Sequence, residues 1–121
     1  IQDVQIECCD ALKIIRSRDS SDTFFYLDPP YVGADQGHYD GYSQEDFNAL
    51  LEELVKIEGR FLLSSYRNKT LNEFVKKFGW FQVELKMAKA MTAQTGKTLS
   101  KIEVITTNYP IGIIENNVRL L

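Results

Sequence analysis

Proline is scarce in this chain, three in 121 residues, and two of the three are adjacent at Pro29 and Pro30. Glycine is sparse as well, and the seven glycines, at 33, 37, 41, 59, 79, 96 and 112, include no glycine-rich loop following an early strand. The two cysteines, Cys8 and Cys9, are neighbours. That spacing suits neither an ordinary disulfide nor a Cys-x-x-Cys zinc site, so both read as reduced core or strand positions. The one histidine, His38, stands without partners for a metal and reads as a surface loop residue. No hydrophobic run is long enough to span a membrane, and no stretch reads as a secretory signal. Internal repeats and low-complexity tracts are absent too. With 44% hydrophobic and 26% charged residues, one soluble, cytoplasmic globular domain is expected, with no membrane partner and no metal.

Net positive charge is also lacking, at −3 overall, which argues against a nucleic-acid partner until its distribution is considered. Residues 1–59 carry thirteen acidic and four basic side chains. Residues 60–101 reverse this, with nine lysines and arginines against only Glu73 and Glu84. That basic stretch is a candidate backbone-contacting surface for nucleic acid, with Lys86, Lys89 and Lys97 as its contacts. Lys76 and Lys77, on an amphipathic helical pattern, read instead as a solvated outer face.

What the sequence does have is Asp28-Pro29-Pro30-Tyr31, directly behind the apolar run Thr23-Phe24-Phe25-Tyr26-Leu27. A run of β-branched and aromatic residues that stops at two prolines reads as a central strand halted at its carboxyl end, because the prolines remove two ladder donors and fix the backbone. Ligands of open α/β sheets bind just outside such strand ends. A carboxylate, a rigid turn and an aromatic ring are thus expected together at a site.

The rest of the chain alternates strands and helices. Val4, Ile6 and Cys8 alternate as a short strand, and Ala11 to Ile15 reads as a helix with Asp10 as its N-cap. The polar, glycine-rich segment between Gly33 and Gly41 reads as a lid or substrate loop beside the turn, with Tyr39 and Tyr42 as its large rings. Ser43-Gln44-Glu45-Asp46 has the form of a capping box, followed by Phe47, Leu50, Leu51 and Leu54 at helical spacing as far as Gly59. Phe61-Leu62-Leu63 is a buried strand ending at Ser64-Ser65-Tyr66. A second capping box is expected at Thr70-Leu71-Asn72-Glu73, opening a helix with Leu71, Phe74, Val75 and Phe78 inward and Gly79 as its stop. Trp80 to Met87 alternates like a strand, residues 88–100 read as a loop, and 101–108 form the last strand. The order suits a mostly parallel α/β sheet closed by an antiparallel strand pair.

Asp-Pro-Pro-Tyr after a hydrophobic strand resembles the catalytic motif of amino-methyltransferases, which move a methyl group from S-adenosylmethionine to an exocyclic nitrogen. Asp in the first position is similar to the Dam-type DNA adenine methyltransferases, whereas cytosine-amino enzymes mostly carry Ser and glutamine-modifying or many RNA enzymes carry Asn. Three further segments resemble that family in order and spacing: Glu7-Cys8-Cys9-Asp10-Ala11-Leu12, Leu63-Ser64-Ser65-Tyr66, and Glu103 to Pro110. The resemblance implies a partial Rossmann-like, S-adenosylmethionine-dependent methyltransferase fold, with double-stranded DNA as substrate. It implies catalytic roles for Asp28, Pro29, Pro30 and Tyr31, and cofactor contacts from Asp10, Ala11 and Asp28. Substrate contacts fall to Tyr31, Tyr39, Tyr42, Ser65 and Tyr66, beside the three lysines. The chemistry wants these residue types. Adenine's amino lone pair is delocalised into the ring, and acceptors placed on its two hydrogens, the Asp28 carboxylate and the Pro29 carbonyl, make it more available. Tyr31 offers a stacking face to a base flipped out of the duplex at a cost of a few kcal/mol.

The sequence departs from the family pattern in one respect. The glycine-rich loop that wraps the methionine end of the cofactor, the acidic residue that holds its ribose, and the inserted target-recognition domain are not found. Residues 1–121 are therefore expected to be the C-terminal catalytic half of such a domain, inactive alone, and either completed by a second polypeptide or a second copy or part of an enzyme that acts only when whole. Beginning with Ile1 rather than Met, the chain has the form expected of a processed or truncated product. The rival expectations are a non-enzymatic nucleic-acid-binding or assembly module that retains the fold, and an RNA or protein amino-methyltransferase, which Asp28 and the Tyr109-Pro110 ending disfavour.

Overall fold

A computed structural model of the chain describes residues 2–6, 11–30, 32, 42–85, 102–114 and 117–120. Within them the apolar run before the prolines is β2 (Thr23–Leu27), preceded by β1 (Gln2–Ile6) and α1 (Ala11–Arg18). After β2 come α2 (Gln44–Lys56), β3 (Arg60–Tyr66), α3 (Lys69–Phe78), β4 (Phe81–Glu84), β5 (Glu103–Thr107), β6 (Ile111–Ile114) and β7 (Asn117–Leu120). Strands β1, β2 and β3 are parallel, with Ile6 beside Leu27 and Leu27 beside Leu63. The sheet order is β1-β2-β3-β5-β4, and β6 and β7 pair as a separate ribbon. The fold is thus mixed α/β on a five-stranded sheet that starts parallel, as expected.

The closing pair is arranged less simply than the sequence suggests. Helix α3 carries the chain past a vacant lane to β4 at the edge, and β5 returns into that lane, antiparallel to both β3 and β4. Burial explains the exchange: β5 places Val104, Thr106 and Thr107 in the interior, whereas both ends of β4, Phe81 and Glu84, are exposed. The β6–β7 ribbon is not foreshadowed in the alternation pattern. The expected loop 88–100 and the lid segment 33–41 lie outside the described residues, as do Cys8, Cys9 and His38.

One apolar core joins the helices to a single face of the sheet. Phe25 and Leu27 of β2 stand in register with Phe61 and Leu63 of β3. Against them pack Ile15 of α1, Phe47, Leu50, Leu51 and Leu54 of α2, and Leu71 of α3. The alternation of β2 places Thr23, Phe25 and Leu27 on this buried side and Phe24 and Tyr26 on the other, half-buried side. There Phe24 meets the ring of Tyr109 edge-on at 6.2 Å.

Helix α2 opens as its sequence predicts: the Ser43 hydroxyl accepts from the Asp46 amide at 3.0 Å, and the Ser43 amide donates to the Asp46 carboxylate at 3.0 Å. Helix α3 does not. The expected capping box at Thr70 is replaced by Asn68, whose side-chain oxygen accepts from the amides of Thr70 at 3.0 Å and Leu71 at 3.2 Å. Asn68 has the extended backbone of a cap, and Thr70 already lies in the first turn. Gly79 ends α3 in the left-handed region at φ 70°, which glycine adopts without steric cost. Phe78, expected on the inner side, is 40% exposed, because the helix ends there and its ring lies between Lys77 and the rings of Phe74 and Trp80.

The turn between α2 and β3 is held from two sides. Asp19 accepts from the Glu58 amide at 2.8 Å and the Gly59 amide at 3.0 Å. Asn108 donates to the Gly59 carbonyl at 3.0 Å and accepts from the Phe61 amide at 3.0 Å. These contacts fix the amino ends of β2 and β3, opposite to the proline turn.

Candidate active site

Strand β2 stops pairing at Leu27, and β3 runs three residues further, pairing Ser64, Ser65 and Tyr66 with β5 instead. The carboxyl end of the sheet is therefore stepped, with Asp28-Pro29-Pro30 in front of the last residues of β3. Two successive prolines enforce the step because neither has an amide hydrogen to offer a neighbouring strand. Pro29 is buried, Pro30 half-buried and Asp28 exposed, so the turn is anchored by its proline rings and presents its carboxylate outward.

The helices converge on the same end. Helix α3 begins three positions after the end of β3, and α2 begins two positions after Tyr42, which forms a single parallel bridge with Val32 just beyond the proline turn. The two helix starts are joined by side chains: the Asn68 amide donates to Gln44 at 2.9 Å, and the Gln44 amide donates to Asn68 at 3.3 Å and to Asn48 at 2.7 Å. Both helices thus direct the positive ends of their dipoles to the side on which Asp28 stands.

Of the residues that the sequence nominates, the structure brings Asp28, Pro29, Pro30, Ser65 and Tyr66 to this end. Ser65 is buried and its hydroxyl donates to the Tyr66 carbonyl at 3.1 Å. Tyr66 is half-buried, beside Arg67, whose guanidinium pairs with Glu84 and whose amide donates to the Ile102 carbonyl at 2.7 Å. Ala11 is the first residue of α1 and packs against the core. Tyr42 is half-buried, its ring edge-on to Phe47 at 6.4 Å and its hydroxyl 3.5 Å from the Asp46 carbonyl. Asp10, Tyr31, Tyr39, Lys86, Lys89 and Lys97 lie outside the described residues. Lys76 and Lys77 occupy the last turn of α3, a ten-residue helix and so about 15 Å long, at the end away from the turn. Sequence reasoning misses the Gln44–Asn48–Asn68 cluster. Its one legible signal is an Asn placed three residues before the first apolar residue of α3.

Burial, with a smaller contribution from the Asp46 carboxylate, pushes the Tyr42 phenol up to about 12. An unfolded chain ionises this phenol near 10, so between roughly pH 10 and 12 the unfolded state binds fewer protons and stability falls. The contribution is fully present below pH 10. Denaturant midpoints measured across that window are expected to fall more steeply for the native chain than for Tyr42→Phe. Parallel profiles would show that Tyr42 is solvated.

Among the described residues, no group of three or more His, Cys, Asp or Glu side chains is placed to hold a metal ion, and no helix is long and apolar enough to cross a membrane.

A sheet whose first three strands are parallel thus presents an anchored acidic turn at the carboxyl end of an inner strand, beside two helix starts, the position at which ligands of open α/β sheets bind. Residues 1–89 match the family model described as D12 class N6 adenine-specific DNA methyltransferase. The chain belongs to that family, as Asp28-Pro29-Pro30-Tyr31 leads one to expect, and the matched segment runs from β1 through β4. No curated protein matches the chain.

Proposed function

We propose that this chain carries the catalytic part of a site-specific DNA adenine methyltransferase with a partial Rossmann-like fold, using S-adenosylmethionine as donor and double-stranded DNA as substrate. The observation that carries the reading is the exposed Asp28 carboxylate on the buried Pro29 anchor, in a chain of this family. Asp28 accepts one hydrogen of the flipped adenine's amino group and the Pro29 carbonyl accepts the other. Both acceptors are fixed before the substrate arrives, so little reorganisation is needed as positive charge develops on nitrogen. Tyr31 stacks on the flipped base, and Ser65 and Tyr66 wall the pocket from the end of β3. The donor set fits S-adenosylmethionine in part: Ala11 opens the helix after β1 and Asp28 follows β2, and these two strands finish side by side at Ile6 and Leu27, while Asp10 is the residue before Ala11 in sequence. When bound, that group supplies an activated methyl on a sulfonium.

The family's glycine-rich loop and ribose-binding acid are not among these 121 residues, and on this reading a cofactor-binding half, in the same polypeptide or another, supplies the remaining contacts. Calorimetric titration of the 121-residue chain with S-adenosylmethionine is expected to show no saturable binding in the micromolar range. Tight binding would contradict the split and favour two copies completing one another. A second reading, an assembly module without activity, draws on the fact that β1 and β4 are the two edges of the sheet. Self-association of the chain that persists after Asp28→Ala, with no methyl transfer in the completed enzyme, would favour it.

A further inference from the structure

The amide pair between Gln44 and Asn68 sits where two routes from the site meet. Gln44 is the first residue of α2, two positions after Tyr42, and Tyr42 bridges Val32, two positions after Pro30. Asn68 lies two positions after Tyr66, the last residue of β3. Their side chains exchange both amide hydrogen bonds across 24 residues of sequence, at 2.9 and 3.3 Å. Cohesion of the helices does not require this exchange, because the apolar contacts of Phe47, Leu50, Leu51 and Leu71 already join α2 and α3 in one core. What two reciprocal bonds add is a fixed relative orientation of the segments that hold them.

Resting on the adenine-methyltransferase reading, we propose that Gln44 is a positioning residue for methyl transfer. Through Asn68 it sets the distance between the proline turn, where the segment returning through Tyr42 departs, and the Ser65–Tyr66 end of β3. The pocket for the flipped base is bounded by these two walls. A displacement of about 1 Å between them is enough to misalign an acceptor with the amino group and to cost on the order of a hundredfold in rate. Asn68 has a second duty as the cap of α3, whereas Gln44 caps neither helix, since Ser43 caps α2, and its one other bond is to Asn48 one turn along the same helix. Gln44 is therefore the residue at which positioning is separable from folding.

The test uses an enzyme assembled from this chain and a cofactor-binding half, with Gln44→Met and Gln44→Glu compared. Methionine keeps the length and removes the amide. Glutamate loses the donations to Asn68 and Asn48 but keeps the shorter bond across the helices, as acceptor for the Asn68 amide, and its charge suits a helix N-terminus, so folding is preserved. Gln44→Met is expected to lower kcat by about tenfold, with the KM for S-adenosylmethionine within about twofold of the parent and an unchanged melting temperature, because only the base-side wall moves. Gln44→Glu is expected to recover most of the lost kcat. A Gln44→Met enzyme with the parent's kcat overturns the proposal, as does a Gln44→Glu enzyme no better than Gln44→Met or a loss that follows the melting temperature. If the parent enzyme itself methylates no DNA, the adenine-methyltransferase reading has failed. An active parent with indifferent variants removes the positioning role alone.

Discussion

Replacing Asp28 with alanine in an enzyme completed by a cofactor-binding half is expected to reduce turnover by at least roughly a hundredfold, the scale on which a single preorganised electrostatic group acts. The reason is geometric as much as electrostatic. Asp28 is the first residue after β2, and the buried Pro29 behind it and the half-buried Pro30 leave the backbone little freedom. On the proposed reading its carboxylate therefore meets the amino group with little cost of orientation at the moment of reaction. Since its side chain is exposed and outside the core, its loss should leave the melting temperature nearly unchanged. Steady-state kinetics with oligonucleotide substrate, alongside a thermal melt, separates the two effects. Turnover near that of the parent would remove Asp28 from the chemistry.

A substitution far from the site is expected to have the largest effect on stability. A Cβ added at Gly59 would lie 2.4 Å from the Thr23 carbonyl oxygen and 2.8 Å from that of Ser20, both of them backbone atoms. No flexible side chain is available to move aside. The Ser20 carbonyl already accepts from the Thr23 amide at 3.1 Å, and Asp19 holds the Glu58 and Gly59 amides, so the turn resists displacement as a unit. Gly59→Ala should therefore destabilise the chain by about 3 kcal/mol, the upper part of the range for overpacking. Gly79→Ala is the fitting contrast, because a Cβ there meets nothing within 4 Å and the only cost is the positive φ of 70°, about 1 kcal/mol. Urea unfolding of both variants checks the order. Equal losses would mean that the β2–β3 corner has room to relax.

Much of this architecture is legible in the residues. The run 23–27 stopped by two prolines, the Ser43 capping box and the Gly79 stop each carry a local mechanism, and each appears in the structure at its expected place. The features that escape the sequence depend on partners distant in the chain. Helix α1 continues to Arg18 rather than ending at Ile15, and Arg16 in that extension pairs with Glu53 of α2 at 3.0 Å. Gly59 reads as the stop of α2, but the helix ends at Lys56 with Ile57 as its cap, and nothing local announces the carbonyls of Ser20 and Thr23 pressed against Gly59. Asn68 and Thr70 are both good caps, two residues apart, and the choice falls to Asn68 because its amide also reaches Gln44. The insertion of β5 between β3 and β4 follows from burial, which period-two alternation does not encode. At the candidate site, the sequence supplies Asp28 and the proline turn, while the Gln44–Asn48–Asn68 amide cluster emerges only where the starts of α2 and α3 meet.

The most direct measurement is the identity of the methylated product. An enzyme completed from this chain is incubated with S-adenosylmethionine labelled in its methyl group and with double-stranded DNA, and the DNA is then digested to nucleosides. The label is expected in N6-methyladenine, and to disappear with Asp28→Ala. Label on cytosine, or on RNA or protein with none on DNA adenine, would contradict the assignment of Asp28-Pro29-Pro30 as an acceptor site for the amino group of adenine.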